Sequence, residues 1–198
     1  MTHFHHWAAQ QPNKTVLIQA ESGEALTAAE LDAQAQRAAR WFLAQGLADG
    51  ASVAFVIENR NELIALAMGA ELVGLYFTPI STHLTAPEVA YIVRDCGAQL
   101  VIATAKTAPM LAGDVPAQVT RYSLDGPLPS HPDMRDLRAE LAQVDVNSAL
   151  PARSRGRDLL YSSGTTGRPK GIKRDLVPHD KKHLPEPAAL NAQRSYGL

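Results

Sequence analysis

The sequence predicts an α/β fold in which a doubly wound, largely parallel sheet is flanked by helices. Three observations carry this. Strand and helix signals alternate along the 198 residues, the order from which crossover connections build parallel sheets. Ser52 to Ile57 (Ser-Val-Ala-Phe-Val-Ile) is an unbroken apolar run, as a parallel strand covered on both faces requires. Two Thr-x-x-Glu capping boxes, Thr27/Glu30 and Thr85/Glu88, each open a helix with an apolar face.

The elements follow in order. Thr15 to Ala20 reads as a short strand, and Glu21 to Glu24 as a turn. Thr27 starts the first long helix: its hydroxyl accepts from a free backbone N–H, and Glu30 reaches back to the cap. Leu31, Ala35, Ala38 and Phe42 share one face of that helix, and Gly46 supplies its left-handed stop. After the 52–57 strand comes the apolar stretch Leu63 to Phe77. At fifteen residues it is short of the roughly twenty that cross a bilayer, and Glu71 would be costly in lipid. It is expected to be a buried helix. Thr85 opens the next helix, whose Val89, Ile92, Val93 and Cys96 recur at i, i+3, i+4 and i+7; Gly97 ends it. Leu100 to Ala103 is another apolar strand. Weaker signals place a short helix near Ala108 to Ala112, a strand near Gln118 to Tyr122 and a helix from Pro132 to about Val144. Asn147 to Arg157 is a polar linker into the strand-like run Asp158 to Tyr161.

Composition bounds the function. With 45% hydrophobic residues the chain can bury a sizeable core. A net charge of −1 argues against a general nucleic-acid or membrane-surface binder. The single cysteine, Cys96, excludes an internal disulfide and suits a reducing compartment; on an apolar helix face it reads as a small core residue. Met1 to Trp7 is His-rich and lacks the pattern of a signal peptide, so a cytoplasmic protein without stable membrane insertion is expected. His3, His5 and His6 read as a polar tail. His83, His131, His179 and His183 have no acidic or thiol companions at metal-ligand spacing, so no structural metal is expected.

The chemistry concentrates in Tyr161 to Gly171: Tyr-Ser-Ser-Gly-Thr-Thr-Gly-Arg-Pro-Lys-Gly. Glycines let a backbone turn tightly and bring its N–H groups close to a ligand. The hydroxyls of Ser162, Ser163, Thr165 and Thr166 add rotatable donors, and Lys170 adds a compact positive charge. Such a loop suits a polyphosphate. It is not a Walker A loop, which needs Gly-x-x-x-x-Gly-Lys-Ser/Thr opening a helix; here Gly171-Ile172-Lys173 reads as a strand. By composition alone the stretch would also serve as a polar hairpin turn with no ligand. Seven of the nineteen basic residues lie between Arg153 and Arg174, either a field that draws in a nucleoside triphosphate or a solvated basic surface. No aromatic residues are interleaved there as platforms for nucleic-acid bases.

The order of residues in 161–171 resembles the phosphate-binding signature of the adenylate-forming superfamily, which includes the AMP-forming acyl-CoA synthetases, firefly luciferase and the adenylation domains of peptide synthetases. Leu75 to Thr104 is similar to the family's segment upstream of that loop: a short strand ending in proline, an x-Leu-Thr-x-x-Glu helix and an Asp-x-Gly-Ala link to the next strand. The Gly-Ile-Lys-Arg run resembles fatty-acyl-CoA synthetases more than peptide-synthetase domains. Many relatives carry a Thr-His pair a few residues past the lysine, where this chain has Asp175-Leu176.

The resemblance implies an incomplete N-terminal subdomain of the adenylate-forming fold: residues 1–174 as the N-terminal part of an AMP-binding domain ending in the phosphate loop 161–171, and 175–198 as an irregular tail. It implies ATP with Mg2+ and a carboxylic acid as ligands, and coenzyme A as co-substrate in the full-length family. It assigns Ser162, Ser163, Gly164, Thr165, Thr166 and Gly167 to the β- and γ-phosphates. Pro169 would stiffen the turn, and Lys170, the catalytic residue, would neutralise departing pyrophosphate. The family's adenine, ribose and metal motifs and its C-terminal lysine do not occur after Gly171. The expectation is therefore an N-terminal fragment of an AMP-forming acyl-CoA ligase, inactive alone. The alternatives are a shortened, non-catalytic interaction module, and one half of a split enzyme whose partner chain supplies the C-terminal half.

Overall fold

The computed structural model describes residues 4–162 and 168–181. Its centre is a six-stranded, wholly parallel sheet in the order β7-β6-β5-β3-β4-β8, formed by β3 (Ser52–Val56), β4 (Tyr76–Pro79), β5 (Ala98–Ala103), β6 (Thr120–Ser123), β7 (Arg135–Asp136) and β8 (Arg157–Asp158). Strand β3 is buried at every position. Val53 and Phe55 join one core cluster, with α2 (Ala28–Ala44) and α3 (Asn61–Leu72). Ala54 and Val56 join the other, with α4 (Ala86–Asp95). This period-two division explains why the run after Ser52 needed no polar residue.

Both capping boxes form. The Thr27 N–H donates to the Glu30 carboxylate at 2.8 Å and the Glu30 N–H donates to Thr27 Oγ1 at 3.3 Å; the Thr85 N–H donates to Glu88 at 2.7 Å. Gly46 and Gly97 take the left-handed conformation expected of helix stops, at φ 73° and 65°. Cys96 is a core residue: its thiol donates to the Val93 carbonyl, and burial pushes its pKa up.

Before residue 147 the structure departs from the sequence expectation in four places. The apolar stretch 63–77 is not one helix: α3 ends at Leu72, Gly74 turns with φ 74°, and Tyr76 and Phe77 enter β4. The helix expected from Pro132 shrinks to α5 (Leu137–Ala142). Before it, Arg135 and Asp136 pair with Tyr122 and Ser123, and Asp136 caps α5 by accepting from the Ala139 N–H at 3.0 Å. Of the N-terminal histidines, His3 lies outside the described residues, and His5 and His6 are not a loose tail but lie in α1 (Phe4–Gln10), where His5 Nδ1 is 2.6 Å from the Asp32 carboxylate. Finally, β1 (Thr15–Ile18) pairs antiparallel with β2 (Ala25–Thr27), a hairpin closed by the expected turn.

Among the described residues no helix is long and apolar enough to cross a membrane, and no cluster of three or more His, Cys, Asp or Glu is placed to hold a metal.

Candidate functional site

The run expected to be one strand leading into the phosphate loop is two. Arg157 and Asp158 extend the sheet beside Tyr76 and Phe77, and the Leu159 N–H donates to the Phe77 carbonyl at 2.9 Å. The next bond of a parallel ladder would be donated by residue 79 to the Leu159 carbonyl. Residue 79 is proline, which has no N–H, so pairing ends there. Leu159 turns inward and is buried against the α4 side of the sheet. The chain then forms a separate antiparallel pair, β9 (Leu160–Ser162) with β10 (Lys170–Ile172), in the register Ser162↔Lys170, Tyr161↔Gly171 and Leu160↔Ile172. A strand, not a helix, follows the loop, as the sequence implies.

Of the residues assigned from the motif, Ser162 ends β9 and is exposed, Pro169 is half-buried, and Lys170 begins β10 and is exposed. Lys170 makes no ion pair among the described residues. The structure thus places Ser162 and Lys170 at directly opposed positions of the antiparallel pair, on one face of it. Ser163, Gly164, Thr165, Thr166 and Gly167 lie outside the described residues.

Helix α4 holds both stems of this hairpin. Tyr161 Oη donates to the Asp95 carboxylate at 2.5 Å, and Tyr91 Oη donates to the Pro169 carbonyl at 3.3 Å. The Arg168 guanidinium lies 5.7 Å from the centre of the Tyr91 ring, within cation–π range. Burial, followed by the hydrogen bond and charge of Asp95, raises the pKa of Tyr161 well above its ordinary value, so this hydroxyl stays a donor. Gly171 is there for space: a Cβ would come within 3.1 Å of Tyr161 Cζ and 3.2 Å of Leu159 Cδ2. Between the stems and the helix is a cavity of about 340 Å³, bordered by Pro79, Ile80, Glu88, Ile92, Ser162 and Pro169.

A larger crevice, about 720 Å³, opens beyond the carboxyl ends of the central strands, with Glu58, Arg60, Pro79, His83 and Lys106 on its walls. The chain there reverses direction, since β4 lies on one side of β3 and β5 on the other. Ligands of doubly wound sheets bind at such a switch point. Thr104 Oγ1 donates to the Glu58 carboxylate at 2.7 Å and fixes one wall. Pro79, Ile80 and Ser81 border both cavities, so the hairpin stands beside the switch point.

The basic cluster is mostly structural. Arg153 donates to the Leu47 and Val73 carbonyls at 2.8 and 3.3 Å. Arg155 lies 3.7 Å from Glu71, Arg174 pairs with Asp158, and Lys173 Nζ sits 4.3 Å from the centre of the Tyr76 ring. These contacts tie the linker and the strand after the loop onto the sheet.

Tyr91 and Asp95 were not singled out by the sequence, though they stand four apart and so share one side of a helix. Glu58 and Lys106 were equally unmarked and His83 was weighed only as a metal ligand, for the three come to one crevice only through the sheet.

A family profile described as "AMP-binding enzyme" matches residues 4–175. Long-chain-fatty-acid–CoA ligase FadD13 of Mycobacterium tuberculosis is 33% identical over 184 residues, covering 89% of this chain and 34% of that protein. Sulfoacetate–CoA ligase of Cupriavidus necator is 33% identical over 176 residues, covering 86% and 34%. This chain therefore spans only 34% of the length of these two relatives. Among solved structures, the N-terminal domain of FACL13 from Mycobacterium tuberculosis superposes with a TM-score of 0.72 at 29% identity, over 90% of this chain and 44% of that one. VinN bound to L-aspartate gives 0.72 at 23% identity over 98% and 47%, a likeness of fold alone.

Proposed function

The chain belongs to the AMP-binding enzyme family, and from that premise we propose that it is the N-terminal part of an AMP-forming acyl-CoA ligase, with residues 1–174 forming part of the AMP-binding domain and 161–171 its phosphate loop. The observation that carries this reading is the hairpin: a complete phosphate-loop motif whose Ser162 and Lys170 face each other across β9 and β10, beside the carboxyl end of β4.

In the reaction, a carboxylate oxygen attacks the α-phosphorus of ATP. A new acyl–phosphate bond forms, the bond to the bridging oxygen breaks, and pyrophosphate leaves with its electron pair. A coenzyme A thiol then displaces AMP from the acyl-adenylate. Negative charge grows on the departing pyrophosphate. Lys170 is exposed on a strand that pairs back onto β9, so its ammonium can meet that charge without crossing the sheet. A preorganised donor aimed at developing charge is worth about 3–4 kcal/mol. Ser162, with the hydroxyls and N–H groups of Ser163 to Gly167, would hold the β- and γ-phosphates, and Pro169 would fix the turn into β10. The described residues offer no acidic cluster for Mg2+; it would accompany the phosphates, and no step here is routed through it. Cytoplasmic location and a fatty acid as the carboxylate belong to the same proposal.

The 198-residue chain titrated with Mg·ATP should bind weakly, and Lys170→Ala should weaken binding about tenfold or more. Carboxylate-dependent ATP–pyrophosphate exchange should be absent from the chain alone, because the family's adenine, ribose and metal motifs are not in its sequence. Equal ATP binding by wild type and Lys170→Ala would overturn the assignment of the loop. Robust exchange by the chain alone would overturn its role as one part of an enzyme.

A second reading rests on a separate observation. The cross-strand pair Leu160 and Ile172 is 47% and 56% exposed, an apolar patch at the hairpin base of the kind that marks interaction sites. It suits a partner polypeptide carrying the remaining domains, whether joined to this chain or separate.

A further inference from the structure

We propose that Asp95 and Tyr91, both on α4, are positioning residues for the phosphate loop: they clasp its two stems, one from each strand, and so set where Ser162 and Lys170 stand. The proposal rests on the reading of 161–171 as a polyphosphate site.

The geometry is reciprocal. Asp95 holds β9 through Tyr161, and Tyr91 holds the chain just before β10 through the Pro169 carbonyl. The two residues are one helical turn apart, so α4 grips both stems as one rigid element. Among the described residues the other ties of the hairpin to the body of the protein gather at its base, where the Tyr76 hydroxyl donates to the Arg174 carbonyl at 2.9 Å and Lys173 lies over the Tyr76 ring. β9 and β10 are three residues each and pair with one another rather than with the sheet. Their own cross-strand pairs therefore supply little. Leu159 anchors the entry and Asp158–Arg174 the exit, but both lie below the level of Ser162 and Lys170. Besides the packing of the Tyr161 ring on the α4 side of the core, these two hydrogen bonds are the directional ties from α4 to the stems among the described residues.

The motif's last glycine fits this arrangement. Gly171 faces Tyr161 in register, and the tyrosine ring lies across it on the way to Asp95. A methyl group at 171 would push the ring tip by a few tenths of an ångström and so disturb the 2.5 Å bond to Asp95. The face that holds α4 to the sheet is independent of this contact. Val89 and Val93 are wholly buried in the core cluster whereas Asp95 is exposed, so removing the Asp95 carboxylate leaves the fold's packing intact.

The test uses the full chain as wild type, Asp95→Ala, Asp95→Asn, Tyr91→Phe and Lys170→Ala, with magnesium tripolyphosphate as the probe. Amide hydrogen exchange of residues 160–162 and 170–172 reads the clasp, calorimetric titration reads the affinity, and thermal unfolding checks the fold. Asp95→Ala should speed exchange in both strands and weaken the probe's binding, each about tenfold, the size expected of one partly exposed hydrogen bond to a charged group. Tyr91→Phe should do the same to a lesser degree. Asp95→Asn keeps an acceptor for Tyr161 and should restore both readouts to within about threefold of wild type. Unchanged affinity in Asp95→Ala, with Lys170→Ala still weakened, overturns the positioning role while the polyphosphate reading stands. A wild-type chain that takes up no tripolyphosphate overturns the reading beneath it, and the positioning role with it, even where exchange responds.

Discussion

Replacing Gly69 by alanine sets two effects against each other, and the structure decides which wins. Gly69 lies inside α3 and is buried against α2. Helix propensity alone favours alanine by about 1 kcal/mol. A Cβ at this position, however, would come within 2.7 Å of Ala38 Cβ, 2.9 Å of the Ala35 carbonyl oxygen and 2.9 Å of the Ala39 amide nitrogen. Carbon atoms rest at about 3.5–4.0 Å, so the two helices would have to part by roughly 1 Å. None of the three atoms belongs to a side chain that can rotate aside: two are backbone and the third is bonded to it. Overpacking of this kind costs about 1–3 kcal/mol, and rigid neighbours put it at or above the upper end. The net expectation is a loss of about 2 kcal/mol, or about 4–8 °C in melting temperature for a chain of this size. Thermal unfolding followed by circular dichroism measures it. Ala38→Gly in the same chain should recover part of the loss, since it removes one contact of the three and leaves both backbone contacts in place. A Gly69→Ala protein that melts at or above wild type would refute the reasoning and show that the helices cross with room to spare.

Three further outcomes follow from contacts already described. Thr27→Ala removes the hydroxyl of the first capping box and should cost about 1 kcal/mol, read from the urea midpoint, with Thr27→Ser close to wild type. Tyr122 is fully buried, donates to Gln45 Oε1 at 2.6 Å, and has its pKa pushed up from 10 to about 12, chiefly by burial and then by the charge of Glu140. The group is stabilising while protonated, so its contribution is whole below pH 10 and lost as pH rises from 10 to 12; the stability gap between wild type and Tyr122→Phe should narrow across that window in urea titrations. Trp41→Phe removes the indole N–H that donates to Glu140 at 2.8 Å and the edge-to-face contact with Tyr122 at 4.8 Å. It should lower stability by about 1–3 kcal/mol, with near-ultraviolet circular dichroism showing the lost aromatic pair.

What the sequence made legible is local. The two capping boxes, the apolar run of β3, the face of α4 and the glycine stops each depend on residues within one or two turns of one another, and each stands where its spacing puts it. The phosphate-loop motif belongs with these, because eleven consecutive residues from Tyr161 to Gly171 carry it whatever surrounds them. The basic cluster was legible only as charge. Its arginines and Lys173 are spent mainly on carbonyls, carboxylates and a ring contributed by distant segments.

Local spacing and composition determined the alternating α/β order, the doubly wound sheet and the family resemblance of the loop. Only the tertiary structure decided that the strand into the loop is cut at Asp158, that Arg135 and Asp136 leave a helix for a sheet edge, and that α4 clasps the hairpin. The reason is that each of these turns on a partner far along the chain. Pro79 withholds the N–H that would have extended β8, the backbone of β6 captures residues 135–136, and Tyr161 finds its acceptor 66 residues away while Tyr91 finds its own 78 away. Periodicity records which face of an element is apolar, but not which distant polar group will stand opposite the other face.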